Sequence, residues 1–124
     1  MSSKVFMVIR ILLGIFVLVF GFNKFLNFIP MEAPTGDAAV YFGALMSTKT
    51  LALVGVIEIV AGLALLLNKF GSLMSLILMS ISVNAVLFHA TIDMPNIAGA
   101  MVLLILNIVT LIGYKDSYKE LLKG

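Results

Sequence analysis

Apolar residues run along this chain in four long blocks broken by short polar punctuation. The blocks cover about residues 5–28, 50–67, 70–90 and 97–114. A helix needs about 20 predominantly apolar residues to cross a hydrocarbon layer of roughly 30 Å, so each block predicts a membrane-spanning helix. Asn68-Lys69-Phe70-Gly71 separates the second block from the third, and Asp93-Met94-Pro95-Asn96 the third from the fourth. Links this short force neighbouring helices to run antiparallel. Between the first and second blocks the pattern changes. Pro30, Pro34 and Gly36 mark a loop, Asp37 is a predicted N-cap, and Ala38, Tyr41, Phe42 and Leu45 then fall at i, i+3, i+4 and i+7, the spacing of one helical face. That predicts a short amphipathic helix over about 37–47, lying on the outer membrane surface. The expected fold is therefore all-α: one transmembrane domain over residues 1–124, an antiparallel four-helix bundle with an interfacial helix in its first outer loop.

Orientation comes from the basic residues, which accumulate on the cytoplasmic side. With both termini inside, Lys4, Arg10, Lys69, Lys115, Lys119 and Lys123 lie there, six of the eight basic residues, leaving Lys24 and Lys49 outside. The first block offers no A-x-A-like cleavage site near Gly21-Phe22-Asn23-Lys24-Phe25 and is too long for a signal peptide. It is expected to remain in the mature chain.

Composition sharpens this picture by exclusion. At 62% hydrophobic and 11% charged, with a mean hydropathy of +1.20, the chain is far from a soluble domain. Having no cysteine, it has no disulfide, thiol redox couple or thiolate metal site. One histidine, His89, cannot hold a bis-histidine haem within one chain, and neither a metal site nor a covalently bound cofactor is expected. Basic residues are scattered rather than gathered with aromatics, which argues against nucleic acid.

Ionisable groups inside a bilayer are costly and by default face protein, water or a ligand. At about 1.5 Å per helical residue, Arg10 lies roughly 8 Å from the inner boundary, within reach of headgroups, and reads as a topology anchor that snorkels to lipid phosphate. Glu58 lies roughly 12 Å from the outer boundary, and Asn84, roughly 20 Å from the inner one, shares its level to within a few Å. His89, Asn23 and Lys24 reach the outer end, so five polar residues occupy one half of the bundle. Gly55, Glu58 and Gly62 share a face at i, i+3 and i+7, which turns the acid toward a close helix neighbour; Gly14 and Gly21 form a comparable stripe on the first helix. Glu58 and Lys24 differ by roughly 10 Å in level, so an indirect link is expected, with the acid neutral and able to donate a hydrogen bond. On the third span Ser75, Ser82 and His89 repeat every seven residues while Ser80 and Asn84 fall on nearly the opposite face, so that helix is expected to touch protein on both sides.

Arg10-Ile11-Leu12-Leu13-Gly14, Gly21-Phe22-Asn23-Lys24, Glu58-Ile59-Val60-Ala61-Gly62-Leu63, Phe88-His89 and Asn96 together resemble the DoxX family of small four-helix membrane proteins. The resemblance implies a multi-pass protein of the bacterial inner membrane. It also points to an accessory, non-catalytic subunit of a quinone-linked membrane redox complex. On that reading Glu58, Asn84, His89, Lys24 and Asn23 line an outer-half pocket for quinone or a similar lipid. His89 would bond a carbonyl, Glu58 would exchange a proton, and Lys24 would hold an anionic headgroup or a partner. The chain has no flavin fingerprint, haem pair or thiol with which to move electrons by itself. Beyond the lipid bilayer, the partners so implied are further copies of the chain or other membrane redox subunits. An assembly factor or chaperone for other membrane proteins is the alternative, and a small transporter the third reading.

Overall fold

A computed structural model describes all residues 1–124. Five α-helices follow one another: α1 (Ser3–Leu26), α2 (Gly36–Ser47), α3 (Thr50–Leu67), α4 (Gly71–Thr91) and α5 (Ile97–Gly113), with short 3₁₀ turns at Met94–Asn96 and Lys115–Tyr118. There are no strands. Four helices, α1, α3, α4 and α5 with its preceding turn, are long and apolar enough to cross a membrane.

Local chemistry sets the helix ends. Ser2 caps α1, its hydroxyl accepting the Val5 N–H at 3.1 Å. At the other end Asn27 turns left-handed (φ 50°) and its N–H closes on the Asn23 carbonyl, so α1 stops at Leu26 rather than 28. Asn68 and Phe70, both left-handed, make the tight reversal between α3 and α4. Asp37 does not cap α2. Thr35 stands at the cap position and Asp37 sits in the first turn, where its charge still favours the positive end of the helix.

The spans close into a ring in which α1 packs on α3 and α5, and α4 on α3 and α5. At the centre lie Leu13, Val17, Ala61, Leu65, Leu78 and Leu103. The outward faces stay apolar, with residues such as Leu12, Ile15, Val56, Val60, Leu76, Val83 and Ile105 exposed. That is the arrangement of a chain whose solvent on the outside is lipid. Association under such conditions depends on close packing and internal hydrogen bonds, because burying leucine against leucine gains little over leucine against acyl chains.

Both devices are present. The glycines of α1 and α3 interlock: a Cβ on Gly62 would stand 2.8 Å from the Gly14 carbonyl oxygen, and one on Gly21 would stand 3.1 Å from that of Gly55. Across the ring, α4 and α5 are joined by a buried polar knot. The Ser82 hydroxyl donates to Asn107 Oδ1 at 2.7 Å and Asn107 Nδ2 donates to the Ser75 carbonyl at 3.0 Å, all three residues being fully buried. This explains the inward turn of the seven-residue serine repeat. The opposite side of α4 meets protein only in part: Ser80 and Asn84 are both exposed, Ser80 bonding back to the Ile77 carbonyl while Asn84 reaches the Tyr41 hydroxyl of α2.

At the end carrying both termini, the last turns fold back on the bundle. Tyr114 donates to Asn68 Oδ1 at 2.7 Å and Tyr118 to the Ser72 carbonyl at 2.7 Å. Burial, helped by neighbouring Tyr114, pushes the Tyr118 phenol up to about 12 from the ordinary 10. A proton held more tightly in the folded state adds stability that is complete below about pH 10 and is lost as pH rises through about 12. Absorbance titration of the phenolates should therefore show a late step near pH 12 that Tyr118→Phe removes. Loss of the same step in Tyr41→Phe instead would refute the assignment.

Candidate functional site

The residues singled out in the outer-half cluster do gather toward the end of the bundle opposite the termini, but they divide among three local arrangements. Glu58 points into the α1–α3 contact and is 4% exposed. Lys24 Nζ lies 2.5 Å from its Oε1. The expectation of an indirect link is thus corrected, and the reason is geometric. Side chains on a helix lean toward its N-terminus. On antiparallel α1 and α3, Lys24 leans down and Glu58 leans up, closing the gap that their backbone levels suggest. Gly21 makes this possible, since a Cβ there would meet Glu58 Cβ at 3.0 Å. The carboxyl is therefore not isolated from charge. Its Oε1 is fully buried, with no hydrogen bond of normal geometry, so the contact with Lys24 is an ion pair rather than a satisfied donor–acceptor arrangement.

Asn23, buried at 6% exposure, does not join this pair. Its amide clasps the backbone of Ile29, accepting the N–H at 2.8 Å and donating to the carbonyl at 3.4 Å. It fastens the loop that leaves α1. Asn84 does not face Glu58 either. It is exposed, and its Nδ2 donates to the Tyr41 hydroxyl at 2.9 Å. Equal depth did not bring the two together because the Ser75–Ser82 face of α4 is the one turned inward by Asn107. His89 bends to its own helix end, with Nδ1 at 3.2 Å from the Asp93 carbonyl and 3.5 Å from Asp93 Oδ2. The expected pocket lined jointly by Glu58, Asn84 and His89 is not formed within one chain.

Arg10 also departs from expectation. It is 8% exposed and donates to the carbonyl of Leu65, with Leu66 a longer second acceptor. Instead of snorkelling to lipid it caps the C-terminal end of α3, where orphan carbonyls and the negative end of the helix dipole both favour a cation.

Three participants escaped the sequence reading of this end. Tyr41 of α2 stacks on Phe88 of α4 (centroids 4.7 Å apart, planes at 21°), and Phe42 meets the same ring edge-on at 5.1 Å. The i, i+3, i+4, i+7 face of α2 does supply the half-buried side, so the periodicity carried the signal, but its aromatic target was not apparent. Asp93, read as turn punctuation, is the partner of His89. The outward face of α2 is not polar: Val40 is 73% and Met46 63% exposed.

No group of three or more histidine, cysteine, aspartate or glutamate side chains is placed to hold a metal ion. What the arrangement offers chemically is one buried ion pair between two tightly packed helices. In comparison with known proteins, the model of the family described as DoxX matches residues 5–91, nearly all of α1 to α4. No curated protein and no solved structure matches the chain.

Proposed function

Because the chain belongs to the DoxX family, a family of multi-pass membrane proteins, we propose that it serves as a small non-catalytic subunit of a larger membrane assembly. One observation carries this reading: the polar chemistry of the spans is spent on the bundle itself. Lys24 is held by Glu58, Arg10 by α3 carbonyls, His89 by Asp93, and Asn107 by Ser75 and Ser82. Reacting groups that converge on a substrate are what an active site requires, and these groups face one another pairwise instead. Ser80 and Asn84 meanwhile keep polar atoms exposed on the outer side of α4, Asn84 while also bonding Tyr41 of α2, and polar groups in spans commonly join one helix to another.

The assembly fits best as a bacterial inner-membrane redox complex, with both termini cytoplasmic according to the distribution of lysine and arginine. An assembly-factor role uses the same face of α4 on a client. Photo-cross-linking in cells tests the proposal. A photoreactive residue at Leu87 or Leu73 on the exposed side of α4 should give one discrete protein adduct, and the same probe at buried Leu78 none. Adducts to lipid alone from every position would overturn it.

A second reading rests on Glu58 Oε1, buried beside a lysine and lacking a hydrogen bond. Such an atom suits a hydroxyl donor, such as that of a quinol, that enters between α1 and α3. Purified protein should then carry extractable quinone, and Glu58→Gln should lose it. Identical quinone content in the two proteins would refute this reading.

A further inference from the structure

At the end carrying both termini, the start of α1 and the end of α5 leave a hollow of about 380 Å3 between them, within the roughly 300–1,000 Å3 that holds small ligands. Its walls are layered along the helix axes. Phe6 and Ile112 line it with apolar surface about one helical turn along from Ser3, Lys115 and Asp116, which stand nearer the helix ends. The apolar lining is fixed in place. Phe6 meets Tyr114 edge-on at 4.9 Å, and Gly113 is bare because a Cβ there would come within 2.2 Å of the Phe6 ring.

Charge at this end is unbalanced in a specific way. Asp116 pairs with Lys119 at 3.3 Å and Glu120 with Lys123 at 3.2 Å. No ion pair engages Lys4, Lys69 or Lys115. Of these free cations only Lys115 stands in the wall of this hollow. An apolar lining with a free ammonium nearer the helix ends matches an amphiphile carrying negative charge near its glycerol. We propose that this hollow binds the headgroup phosphate of an anionic phospholipid. The Lys115 ammonium and the Ser3 hydroxyl are the donors, and an acyl chain lies along Phe6 and Ile112. Basic recesses between spans are suited to such headgroups.

Native mass spectrometry of the detergent-purified full chain, titrated with phosphatidylglycerol, phosphatidylcholine of the same acyl chains or inorganic phosphate, tests this. Phosphatidylglycerol should bind more tightly than phosphatidylcholine, and inorganic phosphate should not compete at equal concentration. Lys115→Gln should weaken phosphatidylglycerol about fivefold, the equivalent of ~1 kcal/mol per basic residue at an anionic surface. Lys69→Gln removes the same charge from the same end but outside the hollow and should leave binding unchanged. Both lysines are exposed, so neither change threatens the fold. Equal binding of the two lipids, equal weakening by the two substitutions, or full competition by inorganic phosphate would each overturn the proposal.

Discussion

Glu58→Ala should lower the stability of the bundle by about 3 kcal/mol, toward the low end of the ~3–5 kcal/mol seen when one member of a buried ion pair is removed. The change strands the Lys24 ammonium beside α3 with nothing to offset its desolvation. Lys24 is the more accessible partner, with 23% of its side chain exposed against 5% for Glu58. It can therefore recover part of the loss by turning its amine outward along its flexible stem. Lys24→Met removes the cation and leaves a carboxylate with less freedom to escape, so it should cost at least as much. Replacing both, as Lys24→Met with Glu58→Leu, should restore most of the loss, because a buried pair exchanged for apolar side chains of similar volume is commonly neutral or better. Reversible unfolding in mixed micelles measures these variants, with Glu58→Leu added as the matching single change that closes the cycle. Additive single and double changes, with no coupling, would show that the contact between the two side chains carries no energy and would remove the pair from any account of this fold.

That cycle also separates stability from function. If the double variant folds and still assembles with its partners, Lys24 and Glu58 are a lock between α1 and α3. If it folds and fails to assemble or loses bound quinone, the charges serve a ligand that enters there. The bundle's other polar contacts differ in kind. Asn107 bridges a hydroxyl and a carbonyl, so it fixes the rotation of α5 against α4 without placing a formal charge in the core.

The spans were legible because run length is a direct reading of bilayer thickness, and the α2 face because its period is a property of one helix. The glycine stripes were legible as stripes, although which glycine meets which depends on how α1 and α3 slide against each other. The candidate site was less readable, for reasons visible in individual residues. Depth counted along a helix gives the level of a Cα atom, not where a long side chain ends, and Lys24 and Glu58 span a turn between them. Depth also says nothing about azimuth: level alone puts Asn84 beside Glu58, whereas α4 is rotated to satisfy Asn107. Arg10 reads from sequence as a lipid anchor because the C-terminal carbonyls of α3 become its neighbours only once the helices are arranged. In each case the missing information was which helix stands next to which.

The interlock of α1 and α3 gives the second large expected effect, and the glycines rank it. Gly62→Ala should be the most damaging alanine replacement among them, costing about 1–3 kcal/mol as an overpacked contact, and Gly62→Val should separate the helices outright. The new Cβ would meet the Gly14 carbonyl oxygen at 2.8 Å as well as the Leu18 side chain at 2.5 Å. A side chain can swing away, whereas backbone yields only if α1 moves as a whole. Gly55→Ala should be milder. Its closest obstacle is the Phe25 ring at 2.8 Å, on a residue already 46% exposed to the membrane side. Gly99→Ala, with nothing within 4 Å of the added carbon, should be neutral or stabilise α5 by up to ~1 kcal/mol through helix propensity. A movement of α1 at Gly62 also shifts Gly21 against Glu58, so Gly62→Ala should weaken the measured coupling between Lys24 and Glu58 while Gly55→Ala preserves more of it. Unfolding curves of the three alanine variants, with the Lys24–Glu58 cycle repeated on the Gly62 and Gly55 backgrounds, check both claims. A Gly62→Ala protein as stable as the parent, with coupling unchanged, would mean that the two helices are held apart from one another and that the ion pair is not supported by their contact.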